Sequence, residues 1–173
     1  MGIKRAGRIV VMVAIVATIG CDRVTKHAAM TMLAGEPDHS YLADTVRLGY
    51  VENPGGFLSR GASWPSVVRT TFFTVATGVM LLTLAVVAIR RKRGEWSALG
   101  VALFLAGGAS NWVDRIARGS VVDFLNVGVG PVRTGVFNVA DAAILLGAAI
   151  FVFAEFRNSR RIQFSPGAGD RPA

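Results

Sequence analysis

Four apolar stretches, Ile9 to His27, Val67 to Ile89, Ser97 to Val113 and Val139 to Phe156, dominate the chain. Each is long enough, or nearly so, to cross a hydrocarbon core of about 30 Å, which takes roughly 20 helical residues. With 52% hydrophobic and only 17% charged residues in a chain of 173, and a mean hydropathy of +0.48, an ordinary soluble domain is excluded. Backbone polar groups in lipid must be satisfied internally, so apolar stretches of this length form helices. The expected fold is an all-α membrane protein: a four-transmembrane-helix bundle with a small β-containing outer surface segment between helices 1 and 2.

Cations near span ends stay in the cytoplasm. Lys4, Arg5 and Arg8 precede the first span, Arg90, Arg91, Lys92 and Arg93 follow the second, and Arg157, Arg160 and Arg161 follow the fourth. All three clusters fall on one side of an even-numbered topology. Both termini are therefore expected in the cytoplasm, with residues of roughly 28–66 and 114–138 on the opposite, outer face. The net charge of +8 does not indicate a nucleic-acid partner, because these cations sit where topology needs them. Cys21 is the sole cysteine, so no intrachain disulfide can form.

The charged residues of the first span gather at its outer end as Asp22, Arg23 and Lys26; Asp22 and Lys26, four apart, share a helix face. Gly35 to Ser40 reads as a turn cluster, and Thr45 to Phe57 as one or two short strands ending in Asn53-Pro54-Gly55-Gly56-Phe57. Trp64 and Trp96 suit interfacial anchors. Gly100, Ala102, Ala106, Gly107, Gly108 and Ala109 allow close helix contact in the third span. The following outer connection, with Gly119, Gly128, Gly130, Pro131 and Gly135, reads as turns between short apolar pieces. One membrane domain over 1–157 and a disordered cytoplasmic tail over 158–173 complete the expected organisation.

Ionisable groups at the membrane are functional candidates, and they concentrate at one boundary here. Asn111, Asp114 and Arg115 form Asn-x-x-Asp-Arg at the outer end of span three; Asp123 follows in the loop; Asn138 and Asp141 open span four. Asn138 with Asp141 three residues on also has the form of a helix N-cap with an acid in the first turn. Two carboxylates sharing one proton can hydrolyse a peptide without a metal or a nucleophilic side chain. The ionised acid deprotonates water while its protonated partner stabilises the oxyanion and assists the leaving amine. A hard cation on Asp22, Asp114, Asp123 and Asp141 is the chemical rival, with Lys26 and Arg115 competing against it. No metal or other cofactor is expected. A proton relay in a small transporter is a second reading of the same acids, and a catalytically silent homologue acting as a binding or immunity protein is a third.

Taken in order, Asp22-Arg23-Val24-Thr25-Lys26, Asn53-Pro54-Gly55-Gly56-Phe57, Asn111-Trp112-Val113-Asp114-Arg115, Val121-Val122-Asp123-Phe124 and Phe137-Asn138-Val139-Ala140-Asp141 resemble the sequence blocks of the bacterial lipoprotein signal peptidases, or signal peptidase II. The resemblance covers about Ile9 to Phe156. It implies an aspartic endopeptidase of the bacterial cytoplasmic (inner) membrane that cuts diacylglyceryl-modified prolipoproteins immediately before the lipidated cysteine, at the outer face. By residue matching it implies Asp123 and Asp141 as the catalytic pair, and Asp22, Lys26, Asn53, Asn111, Arg115 and Asn138 as substrate-binding or supporting positions, with Asp114 structural. Membrane lipids, prolipoproteins and inhibitors of the globomycin type are the implied partners. The chain departs from the family's usual pattern at Ser110, where glycine is usual, at Arg23, where glutamine is usual, and in an Asn53 loop one residue shorter.

Overall fold

The structure is a computed structural model that describes residues 4–54, 65–91 and 93–163. Gly55, Gly56, Phe57, Trp64, Lys92 and the tail from 164 onward lie outside the described residues. Among the described residues there are four helices, α1 (Arg5–Met32), α2 (Ser66–Arg90), α3 (Glu95–Arg118) and α4 (Val139–Gln163), with strands β1 (His39–Tyr41) and β2 (Val46–Asn53) between α1 and α2 and strands β3 (Val121–Val129) and β4 (Val132–Arg133) between α3 and α4. The helices overrun the apolar stretches at most ends, α1 by four residues before Ile9 and five beyond His27. Helical hydrogen bonding does not stop where hydrocarbon would, and charged side chains project from the extra turns. At the far end α4 continues to Gln163, past the expected start of the tail.

Among the described residues, three helices are long and apolar enough to cross a membrane, over Thr71–Arg90, Glu95–Arg118 and Val139–Arg160. Four such spans were expected. The first helix differs because Asp22, Arg23 and Lys26 occupy its second half; yet its 28 residues extend about 42 Å at 1.5 Å each. Val13 and Val16 on α1, Val67 and Leu82 on α2, and Leu145 and Phe153 on α4 are more than half exposed. So much apolar surface on several elements has the character of a lipid-facing wall.

Helix α3 is the hub, packing on α4, α1 and α2. Its small residues explain the close approach to α4. A Cβ on Gly100 would lie 2.7 Å from the Gly147 carbonyl oxygen, one on Gly147 would lie 2.5 Å from that of Gly100, and one on Gly107 would collide with the Ala140 carbonyl. Gly119 ends α3 with φ of 74°, a left-handed cap that glycine adopts without cost, and β3 starts two residues later.

The sheet corrects the sequence reading. It is one antiparallel sheet in the order β1-β2-β3-β4, built from both the α1–α2 and the α3–α4 connections rather than from the α1–α2 segment alone. Asp123 thus lies within β3, opposite Val51, and Asn53 pairs with Val121. The turn reading failed for β3 because its glycine-marked end masks a long strand. Gly128 pairs with Arg133 and leaves no room for a side chain against β4. In the β1–β2 turn Leu42, Ala43 and Asp44 take φ of 53°, 50° and 66°, a strained run for non-glycine residues. Asp44 is held there by hydrogen bonds from Ser40 at 2.7 Å and Arg47 at 2.6 and 2.7 Å.

Candidate active site

The end of the bundle beneath the sheet holds Asp22, Lys26, Ser110, Asn111, Asp114, Asp123 and Asn138, all buried, and the half-buried Asp141, in two adjoining clusters. The first belongs to α1 and α3. Lys26, 1% exposed, directs its ammonium at three acceptors, each at 2.7 Å: Asn111 Oδ1, Asp114 Oδ2 and Asp22 Oδ2. An ammonium has three protons, so this lysine is fully satisfied. Asp114 also receives Arg23 and, at 2.8 Å, Arg118. Asp22 takes a hydrogen bond from the Ser110 hydroxyl at 2.6 Å on Oδ2 and from the Ala140 backbone N–H at 2.9 Å on Oδ1. The predicted Asp22–Lys26 pair is therefore real but not merely local: Asp22 ties α1 to α3 and to the first turn of α4.

The second cluster holds Asp123 and Asp141. Asn138 caps α4: its Oδ1 accepts the Asp141 N–H at 2.9 Å while Asp141 Oδ2 accepts the Asn138 N–H at 3.2 Å, a reciprocal capping box. Because Oδ1 is committed to a backbone donor, the Asn138 amide nitrogen must face the other way. It donates to Asp123 Oδ1 at 2.6 Å, with Val122 O and Asn111 Oδ1 both at 3.3 Å. The same logic orients Asn111. Its oxygen faces Lys26, which can only donate, and its amide nitrogen donates to Asp141 Oδ1 at 2.8 Å. Asn53, from the end of β2, donates to Asp123 Oδ2 at 3.0 Å. Asn138 is thus both a cap and the link between the two acids, so the two sequence readings of that motif describe one residue.

Each carboxylate oxygen of Asp123 and Asp141 accepts one neutral N–H, and no cation binds either of them among the described residues. Burial, with the nearby Asp141 charge adding to it, pushes the Asp123 carboxyl up to about 6 against the pull of the Asn53 and Asn138 hydrogen bonds. Desolvation and a like charge both disfavour the ionised form. Arg115 is half-buried nearby; its Nη1 donates weakly to the Asn111 carbonyl at 3.4 Å, and its Nε is buried without a hydrogen-bond partner among the described residues.

All nine predicted site residues therefore meet at this end of the bundle, but not in one constellation. Asp22 and Asp114 are taken up by Lys26 and arginines, which separates them from Asp123 and Asp141 and splits the carboxylate set that the metal reading needed. Ser110, Arg118 and the Ala140 N–H were not predicted as site members. Ser110 is indistinguishable in sequence from its small packing neighbours. The Ala140 donor carries a weak signal: the first backbone N–H groups of any helix lack intrahelical partners, so a buried acid beside them is favoured.

Residues 14–157 match the family described as Signal peptidase (SPase) II. The chain is 34% identical over 144 residues to a lipoprotein signal peptidase of Burkholderia ambifaria, covering 80% of this chain and 82% of that one. It is 37% identical over 155 residues to a lipoprotein signal peptidase of Mycolicibacterium smegmatis, covering 86% and 61%. Its fold is similar to that of a bacterial membrane enzyme solved by the in meso method at 2.3 Å resolution, with a TM-score of 0.77, 94% of both chains covered and 20% identity.

Proposed function

The chain belongs to the signal peptidase II family and acts as a lipoprotein signal peptidase, and from that premise we propose that Asp123 and Asp141 carry out the hydrolysis as an aspartic pair. One observation carries the proposal: a single amide, that of Asn138, hydrogen-bonds Asp123 while its oxygen and backbone N–H engage Asp141. With no cation bound to either acid among the described residues, one proton shared between them is the economical charge state. Asp123, with its raised carboxyl, holds that proton at rest. Asp141, fixed at the positive end of α4, is the ionised partner. It takes a proton from the attacking water as Asp123 gives its own to the carbonyl oxygen; on collapse of the gem-diol Asp141 passes the water-derived proton to the leaving amine and Asp123 regains its proton from the diol hydroxyl. Atoms balance without a cofactor: water supplies the hydroxyl to the acyl product and the hydrogen to the amine.

The supporting residues have distinct tasks in this reading. Asn111 and Asn138 hold the acids in place, since each amide is oriented from behind by a committed group. Arg115 Nε, without a hydrogen-bond partner among the described residues, is the donor this reading assigns to a substrate carbonyl. Asn53 brings the edge of the sheet over the acids, so that substrate passes beneath β2. Asp22 and Lys26 fix α4 and Asn111, and Asp114 is structural.

In the same proposal α1 spans the membrane with α2, α3 and α4, its charged second half being packed against α3 instead of lipid. The basic helix ends lie in the cytoplasm with both termini, and the sheet and acids lie at the outer face of the inner membrane. Residues 1–157 form the protease domain. A diacylglyceryl anchor on the substrate cysteine then delivers the scissile bond to the depth of the acids before any protein contact is made. Globomycin-type inhibitors occupy that position. The test is cleavage of a lipidated prolipoprotein by Asp123→Asn and Asp141→Asn proteins in detergent or vesicles. Both variants should insert and fold but fail to cut; full activity in either one removes it from the pair.

A further inference from the structure

Along the face of α3 that runs from the basic α2–α3 turn up to Ala109, α1 and α2 both pack on α3 and not on each other among the described residues. The gap is a groove of about 350 Å³, within the range of ligand pockets (about 300–1,000 Å³). Ile15 of α1, Ile89 of α2 and Ala102 and Leu105 of α3 line it, and Arg91 and Arg93 stand at its mouth. Its walls are almost wholly apolar. Arg93 Nε is buried with no hydrogen-bond partner among the described residues, while the guanidinium carbon lies 5.4 Å from the Phe151 ring centroid. Arg91 is exposed beside it.

We infer that this groove binds one anionic phospholipid, with an acyl chain along Ile15, Ala102 and Leu105 and its phosphate between Arg91 and Arg93. An apolar channel between helices must be filled in a bilayer, and hydrocarbon fits it. Two arginines at its mouth favour a headgroup with net negative charge over a zwitterionic one. Charge argues against the other elongated apolar occupant, a signal peptide, whose cationic amino-terminal region would be repelled by the same arginines. The inference needs the chain to be membrane-inserted but not the assignment of Asp123 and Asp141.

Native mass spectrometry of the full-length protein, titrated with phosphatidylglycerol or phosphatidylcholine of identical acyl chains, tests it. One tightly held phosphatidylglycerol is expected, with its preference reduced about fivefold per arginine replaced in Arg91→Ala and Arg91→Ala/Arg93→Gln proteins, the size expected of a cation at a membrane surface. Ile15→Trp, which fills the groove from α1, should weaken both lipids. Equal retention of the two lipids by the unmodified protein, a preference untouched by Arg91→Ala, retention untouched by Ile15→Trp, or displacement of the lipid by a synthetic signal peptide overturns the inference. Should the double variant fail to fold, Arg91→Ala alone decides, because that side chain is exposed. Cleavage by the lipid-stripped protein is a separate measurement that bears on the acids alone.

Discussion

Asp22 and Asp114 differ from Asp123 and Asp141 in what faces them. All four carboxylates sit at one end of the bundle, and three are at most 3% exposed. The first two share Lys26, with Arg23 and Arg118 added on Asp114. Among the described residues, the second two receive amide and backbone N–H groups only. A buried carboxylate hydrogen-bonded to a cation serves as a strut. A carboxylate held by neutral donors keeps its geometry while its proton remains exchangeable, as an acid–base pair needs. Asn111 joins the two regions: Lys26 fixes its oxygen, and its nitrogen then fixes Asp141.

The most severe way to break this comparison is chemical. Asp141→Asn and Asp123→Asn should each lower kcat by about 10³-fold or more, as replacements within a catalytic unit do, with thermal unfolding in detergent nearly unchanged. A large loss of stability would move that acid into the structural set. Lys26→Met tests the opposite region. It leaves Asp22 and Asp114 buried without their shared cation, at a cost of about 3–5 kcal/mol, and should unfold the protein at lower temperature. A Lys26→Met/Asp22→Asn double variant should recover part of that loss, because Asp114 keeps Arg23 and Arg118 while Asp22 has lost its cation.

Asn138→Ala attacks the link between the regions. Loss of a cap costs about 1 kcal/mol, whereas loss of a preorganised donor at the acids should reduce kcat about 10²-fold or more. An activity loss no greater than the stability loss explains would reduce Asn138 to a cap. The smallest effect is the pH dependence of Asp123. Its carboxyl titrates near 6 in the folded protein against an ordinary value of 3.8, so between these values the native state holds a proton that the unfolded state releases. Stability is then highest below about 4 and declines as pH rises towards 6. Asp123→Asn should remove this decline, with a gain in melting temperature at pH 8 and little change at pH 4. A parallel shift at both values would show that Asp123 titrates normally.

Much of this arrangement was legible one residue at a time. Asn138 and Asp141 are three apart, and a capping box follows from that spacing alone; Asp22 and Lys26 share a helix face for the same reason. The sheet was half legible: β2 alternates weakly in sequence ahead of a glycine-rich stretch, but β3, with Gly128 near its end and Gly130 just beyond, reads as a turn until β2 and β4 pair with it. Ser110 and Arg23, met in the sequence only as departures from a family pattern, lie together: Arg23 donates to the Ser110 carbonyl at 2.8 Å, and the Ser110 hydroxyl donates to Asp22. No spacing rule predicts a contact between residues 87 apart.

By itself the sequence determined the apolar helices, the basic ends and the candidate acids, because hydropathy, charge and short-range capping act within a few residues. Only the tertiary structure decided which carboxylates meet a cation and which meet an amide. That division depends on Gly100, Gly107 and Gly147 letting α3 and α4 nearly touch, and on β3 carrying Asp123 back beneath the Asn138 cap. Electrostatic environment is a property of three-dimensional neighbours, and identical aspartates acquire different chemistry from it.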